Sequence, residues 1–179
     1  MKYAAFFRNV NLGRPGSPGK AGLEQAFVNA GAESASSFLT NGTLVFTTRP
    51  KANPSRLLAT ASNLLQIECG LMEPGFVRSV AYLKDLVELD PFSAVDRSSG
   101  NLCCITFLHA SMTAPPEVPL VSKRKDVEVL RFTGGEALCL SRTIGKTPGS
   151  PNAFLEKLFN LPATTRNWNT VVRLVRKYA

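Results

Sequence analysis

The stretch SSFLTNGTLVFTT, Ser36 to Thr48, places two apolar runs on either side of Asn41-Gly42. Asn-Gly is the strongest short signal for a tight turn between antiparallel strands, because both residues tolerate a positive φ. We therefore predict a β-hairpin centred on Asn41-Gly42. The segments on either side of this hairpin decide which fold contains it.

A predicted helix and a predicted strand lie on each side of the hairpin. Residues from Leu23 to Ala30 repeat apolar side chains at helical spacing. Beyond the hairpin, Asn53 and Pro54 form a typical helix start. YAAFFRNV (Tyr3 to Val10) and GFVRSV (Gly75 to Val80) are typical of strands. The resulting order predicts an α+β fold with a ferredoxin-like βαββαβ first half.

The second half has a different pattern. The runs LCCITFLHA, DVEVLRFTG and EALCLSR are strand-like, and NAFLEKLFN and the C-terminal stretch have helical spacing. We predict a smaller half with a three-stranded sheet and two C-terminal helices, packed against the first half. The predicted boundaries are a ferredoxin-like subdomain at 1–92, a joint at 93–101 and a C-terminal α+β subdomain at 102–179.

Composition restricts the class of protein. The chain has 179 residues and four cysteines without a CxxC pair, which favours buried free thiols in a reducing compartment. No stretch approaches the roughly 18 apolar residues of a membrane span, and the first residues lack a signal-peptide pattern. The sequence therefore predicts a soluble cytoplasmic protein without membrane contact. One histidine and four scattered cysteines give no zinc spacing, so no metal or cofactor is expected.

The stretch TTRNWNT contains the only tryptophan of the chain. Thr164 or Thr165 is a candidate N-cap for the last helix, since its hydroxyl can accept a backbone N–H. From there Trp168, Val171 and Val175 fall on one helical face. We therefore expect Trp168 to anchor the final helix in the core.

Three polar residues of this stretch are left without a role in that interpretation. Arg166, Asn167 and Asn169 crowd a predicted helix N-terminus, where free N–H groups attract phosphate or carboxylate. The same residues can instead form a structural lock with loops of the first half. Both alternatives stay open at this point.

These residues also carry a resemblance. The ending ATTRNWNTV (Ala163 to Val171), the opening AAFFRNVNLG (Ala4 to Gly13) and FLTNGTLVF (Phe38 to Phe46) are similar to a bacterial family catalogued as domain of unknown function 1697. Asn9 stands where the family pattern has Gly. The resemblance implies an α+β fold with a ferredoxin-like first half and implies no assigned activity.

A glycine-rich loop, GRPGSPGK from Gly13 to Lys20, follows the first predicted strand. It lacks the Ser or Thr that completes a P-loop after the lysine, because Ala21 stands there. Binding of a simple anion by Arg14, Lys20 and the backbone is the remaining hypothesis. The loop IGKTPGS, from Ile144 to Ser150, has similar chemistry.

The excess of basic residues gives a formal net charge of +8, which favours polyanionic partners. The best hypothesis is a polyanion-binding module whose partner is nucleic acid or a phosphorylated small ligand. The alternatives are an enzyme acting on a small anionic substrate at the cleft between the halves, and a protein-interaction module. No motif specifies a reaction, a ligand or an oligomeric state. The candidate anion-binding residues are Arg8, Asn9, Asn11, Arg14, Lys20, Arg166, Asn167 and Asn169.

Overall fold

The computed structural model describes residues 1–96, 100–112 and 114–179 of the chain. Within the predicted joint at 93–101, residues 97–99 lie outside the described residues. The structure is of mixed α+β class, as predicted.

The chain forms two compact units. The first comprises Met1–Lys84 together with Lys177–Ala179, and the second comprises Asp85–Arg176. The first unit has the predicted βαββαβ order, and its antiparallel sheet has the strand order β2-β3-β1-β4. Its elements are β1 (Lys2–Phe7), α1 (Lys20–Asn29), β2 (Ser34–Ser37), β3 (Thr43–Thr47), α2 (Pro54–Cys69) and β4 (Gly75–Ser79), followed by α3 (Val80–Glu88).

The predicted hairpin is present, but its first strand lies earlier than the apolar run suggested. β2 consists of four small residues, and the connection to β3 runs from Phe38 to Gly42. Leu39 has a φ of 63° and Gly42 a φ of 69°, so the chain turns at both positions. The amide of Phe38 donates to the carbonyl of Thr43 over 2.7 Å and closes this loop.

Helices α1 and α2 cover the same face of the sheet of the first unit. Phe7 and Phe46 from the strands share one buried cluster with Phe27 of α1 and with Leu57 and Leu65 of α2. The rings of Phe27 and Phe46 lie 5.0 Å apart between centroids. This packing explains the apolar spacing seen in both helical stretches. The Asn53 side chain accepts hydrogen bonds from two amides of the first turn of α2, as expected for a helix cap.

The opposite face of the same sheet carries Phe6, which is fully buried. RNA-binding βαββαβ modules stack bases on exposed aromatic rings of the sheet. The ring of Phe6 is not available for such stacking.

The second unit contains a five-stranded sheet, so the prediction of three strands was wrong in number. The three predicted strands are present, and one further strand flanks them at each edge, giving the order β11-β5-β8-β7-β6. A separate two-stranded ribbon and two helices complete the unit. Its elements are β5 (Leu102–Leu108), β6 (Leu120–Val121), β7 (Val127–Phe132), β8 (Glu136–Ser141), β9 (Thr143–Ile144), β10 (Thr147–Pro148), α4 (Pro151–Phe159), β11 (Ala163–Asn167) and α5 (Trp168–Tyr178).

The expected threonine cap of the last helix was also wrong. Thr164 and Thr165 lie in β11, which pairs antiparallel with β5, and α5 begins at Trp168. The Asn167 side chain accepts a hydrogen bond from the Asn169 amide over 2.9 Å and thus caps the helix. The β-branched threonines favour the strand, because their side chains pack well on a pleated surface.

Three of the cysteines lie in the sheet of the second unit and are buried. Cys104 of β5 is the register partner of Cys139 of β8. Burial raises the pKa of the Cys104 thiol to about 12, and the neighbouring Cys103 adds to this rise. Burial also raises the pKa of Cys139 to about 12. Both groups are therefore protonated, unreactive thiols at neutral pH.

The burial of Trp168 generates a test of the core of the second unit. The side chain is 3% exposed, and its ring lies 5.2 Å from that of Phe92 in an edge-to-face arrangement. We expect Trp168→Ala to lower the free energy of unfolding by ~3 to 5 kcal/mol, the usual range for buried aromatic truncation. Urea unfolding measures this change. Arg176→Ala, at an exposed position of the same helix, serves as control and should shift stability by less than about 0.5 kcal/mol. Equal stability of the two variants would contradict the core role of Trp168.

Candidate anion-binding site

Arg8 and Asn9, directly after β1, both contact one carboxylate of their own unit. Arg8 Nη1 donates to Glu73 Oε2 over 2.7 Å, and Asn9 Nδ2 donates to Glu73 Oε1 over 3.1 Å. Asn9 has a φ of 51°, a conformation that Gly and Asn adopt most readily, which explains an Asn where the family pattern has Gly. The Glu73 carboxylate thus fixes the end of β1 against the segment before β4.

The loop after β1 contains three further candidate residues. The Asn11 amide donates to Ser17 Oγ, and the Asn11 carbonyl accepts from the Arg14 amide. Lys20 is the first residue of α1 and is exposed, as is Arg14. The first turn of α1 has a protein carboxylate beside it, because a Cβ at Gly22 would lie 3.1 Å from Glu68 Oε1. A carboxylate beside the first turn makes this end of the helix less attractive to an anion.

Arg166 is buried within β11 of the second unit. Its Nη1 donates to Thr164 Oγ1 over 2.8 Å and to the Thr165 carbonyl over 2.9 Å. Only 7% of the residue is exposed, and burial lowers the pKa of the guanidinium to about 10. The group therefore keeps its charge at neutral pH and is held by oxygen atoms of its own strand.

Asn167 and Asn169 line a small pocket of the second unit. The pocket has a volume of about 70 Å³ and is also bordered by Asn101, Cys103 and Trp168. Ligand sites for small molecules usually enclose about 300 Å³ or more. A cavity of this size accommodates water or a single small group and does not enclose a substrate. Of the three candidate residues in this stretch, Asn167 and Asn169 line the small pocket, and Arg166 is not among its lining residues.

A basic turn connects β6 to β7. Lys123, Arg124 and Lys125 follow one another at exposed positions. The turn is closed by the Lys125 amide, which donates to the Ser122 carbonyl over 2.8 Å. Arg124 lies 3.4 Å from Asp126 Oδ2. Among the described residues, Lys123 and Lys125 form no ion pair.

A second basic turn lies at the tip of the ribbon formed by β9 and β10. Gly145 and Lys146 form a two-residue connection, and Gly145 has the positive φ of 64° that such a turn requires. Every residue from Thr143 to Pro148 is exposed. Lys146 likewise forms no ion pair within the part of the chain that the structure describes.

The two turns share a common base at Asp126, the residue after Lys125. The Asp126 carbonyl accepts from the Arg142 amide over 2.8 Å, and the Arg142 carbonyl accepts from the Gly149 amide over 2.9 Å. Arg142 and Gly149 are the residues that enter and leave the ribbon. A Cβ at position 149 would lie 2.1 Å from the Asp126 carbonyl oxygen, so only glycine permits this approach.

The N-terminus of α4 follows the ribbon directly and adds to the positive potential. Its N-cap, Ser150, makes no capping hydrogen bond through its side chain, and the first turn contains no acidic residue. The positive end of the helix dipole therefore lies one residue beyond Gly149. We call these two turns, which carry the exposed Lys123, Lys125 and Lys146, the basic turns.

Sequence reasoning reached this surface only in part. The loop from Ile144 to Ser150 was predicted to have chemistry similar to that of the Gly13–Lys20 loop, whereas no prediction included the run Lys123-Arg124-Lys125. A basic tripeptide between two strand-like segments is the signal that could have identified it. The contact between the two turns follows from the register of β7 and β8, which sets Val127 opposite Ser141, and it is not visible in the spacing.

The protein belongs to the α+β class and has two units. The first contains the βαββαβ sheet, and the second contains the five-stranded antiparallel sheet. The chain belongs to the family described as Protein of unknown function (DUF1697), whose profile matches residues 1–137. This confirms the family suggested by the sequence resemblance. The ATTRNWNTV ending lies beyond the matched residues.

One solved structure has a similar fold over nearly the whole chain. It is the conserved bacterial protein SP0830 from Streptococcus pneumoniae, with a TM-score of 0.66 and 18% sequence identity. The similarity covers 98% of this chain and 97% of that chain, and at this identity it concerns the fold alone. No curated protein sequence matches the chain. Within the described residues, no helix has the length and apolar character needed to cross a membrane.

The hydrogen bonds of Arg166 generate a second test. We expect Arg166→Ala to lower the free energy of unfolding by ~2 to 4 kcal/mol, since it removes charge-assisted hydrogen bonds and leaves a buried space. Phosphate should leave the difference between wild type and variant unchanged, as measured by urea unfolding with and without the anion. If phosphate stabilises the wild type and not the variant, Arg166 is an anion ligand and the structural role is wrong.

Proposed function

We propose that the protein binds polyanions through the basic turns. The observation that carries this proposal is the presence of three exposed lysines on two adjoining turns, none of them in an ion pair with a described residue. Exposed cations that form no ion pair attract phosphate groups and release counterions when they bind them.

A polymer fits this surface better than a small phosphorylated ligand. Small-molecule sites are concave and bury most of their ligand. The lysines of the basic turns lie at exposed positions, and so does every residue from Thr143 to Pro148 around Lys146. A chain of phosphates can contact such points one after another, whereas a single phosphate would meet one lysine at a time.

The candidate residues of the first unit offer a weaker surface. Arg8 and Asn9 are bound by Glu73, and Glu68 lies beside the first turn of α1. Arg14 and Lys20 are left as exposed cations of the loop. They provide a matched comparison, because the two pairs Arg14/Lys20 and Lys123/Lys125 carry the same charge.

The proposal includes a cytoplasmic location, where nucleic acid is the most abundant polyanion. None of the four cysteines forms a disulfide, three of them are buried, and a reducing compartment would keep them as thiols.

Binding to polyanions can be measured by fluorescence anisotropy with a labelled DNA duplex and by competition with inorganic polyphosphate. We expect the affinity for the duplex to fall between about 50 and 200 mM NaCl with a logarithmic slope of about −3, if each of the three lysines neutralises one phosphate. Polyphosphate should compete with the duplex. If the protein binds neither the duplex nor polyphosphate at low salt, the proposal is refuted.

The site is tested by two double variants that remove the same charge. Lys123→Gln/Lys125→Gln should weaken binding and lower the salt slope by about 2, because two phosphate contacts are lost. Arg14→Gln/Lys20→Gln should leave both quantities close to wild type. The reverse pattern would keep polyanion binding but move the site to the loop after β1.

A further inference from the structure

We infer that the ribbon of β9 and β10 enters the major groove of double-stranded DNA while Lys123 and Lys125 contact phosphates beside that groove. This inference rests on the proposed polyanion binding and names its partner. Three properties of the surface lead to it: the dimensions of the ribbon, its composition and the way its base is held.

The dimensions of the ribbon fit one groove of one kind of nucleic acid. Adjacent strands lie about 4.8 Å apart, so a two-stranded ribbon with side chains fits the roughly 12 Å width of the B-DNA major groove. The minor groove, about 6 Å wide, does not accept it. The major groove of A-form RNA is too deep and narrow for side chains to read. The ribbon of β9 and β10 is short, because its strands pair only through Ile144 with Thr147 and Thr143 with Pro148.

The composition of the ribbon favours duplex over single-stranded partners. Proteins that bind single strands stack bases on aromatic side chains. The ribbon sequence TIGKTP contains no aromatic and no acidic residue, and neither does the Lys123–Lys125 turn. It does contain two threonine hydroxyls, one lysine and Ile144, which is 46% exposed. Hydroxyls and lysine can bond base edges, and an apolar side chain can contact the thymine methyl group.

The base of the ribbon is held in place by contacts within the second unit. Ser141 Oγ donates to the Gly149 carbonyl over 2.8 Å, in addition to the bonds that connect Arg142 with Asp126 and Gly149. Arg142 also forms an ion pair with Glu128 of β7. The Lys123–Lys125 turn is attached to the same Asp126. A duplex that contacts the ribbon therefore meets the neighbouring lysines in a fixed relation to it, without ordering a flexible arm first.

The test compares Lys146→Gln with Lys157→Gln, an exposed lysine on α4 of the same unit. Both substitutions remove one charge at an exposed position, so both variants should fold, as circular dichroism will verify. We expect Lys146→Gln to weaken duplex binding by roughly fivefold or more, the effect of losing one groove contact. Lys157→Gln should change it by less than about twofold, since that lysine makes no contact with the duplex.

The groove is identified with modified DNA of unchanged charge. In a duplex whose cytosines carry glucosylated 5-hydroxymethyl groups, the glucose fills the major groove. The protein should bind this duplex at least about fivefold more weakly. Netropsin, which occupies the minor groove, should not displace the protein. The matching single strand and an RNA duplex of the same sequence should bind more weakly than the DNA duplex.

The outcomes separate this inference from the proposal on which it rests. If the wild type binds neither DNA nor polyphosphate, the proposed function itself is wrong. If the wild type binds both polymers but the two lysine variants behave alike, or if glucosylation has no effect, polyanion binding stands and insertion of the ribbon is refuted. Displacement by netropsin, or equal binding of the single strand or the RNA duplex, also refutes the insertion.

Discussion

The antiparallel pairing of β11 with β5 is the interaction on which the second unit depends. Thr165 lies opposite Thr106, and their hydroxyls form a hydrogen bond of 2.8 Å. Because alternate residues of a strand point to opposite faces, this register turns Ala163 toward the cluster that includes Leu155 of α4 and buries Arg166 on the other face. The same register ends the strand at Asn167, whose side chain then caps α5 and sets Trp168 at the start of the helix.

Local signals predicted the first unit well, because each of its elements has its own sequence mark. Asn53 caps α2 through two backbone amides, and the buried spacing of Leu23 and Phe27 matches one face of α1. The second unit was predicted less well, since its two outer strands carry little local signal. Leu120–Val121 has only two residues, and ATTRN resembles a helix start in isolation. β11 is a strand because it pairs with β5, which is far from it in the sequence, whereas β6 pairs with β7 directly after a short turn. Spacing reveals neither pairing.

The candidate site shows the same limit of local reasoning. The sequence predicted Arg8 and Asn9 as candidate anion-binding residues after the first strand. In the structure, Glu73 from the segment after α2 accepts hydrogen bonds from both. The net charge of the chain does not locate the proposed surface either. The first unit carries ten lysines and arginines against four acidic residues, whereas the second carries eleven against nine. Most of the excess charge is therefore in the first unit, and the proposed surface is defined by the position of its three exposed lysines and not by net charge.

Asp126 explains how a surface of this kind can exist in a unit with nearly balanced charge. Its carboxylate accepts from Ser122 Oγ and lies near Arg124, while its carbonyl accepts from Arg142. One acidic residue is thus used within the base of the turns, and Glu128 is used in the same way by Arg142. Asp126 and Glu128 thus pair with Arg124 and Arg142. The lysines at the tips of the turns form no ion pair with a described residue and are exposed. Ion pairs thus hold the base of the turns while the lysines at the tips are exposed, which is the arrangement that we propose for contact with a phosphate backbone.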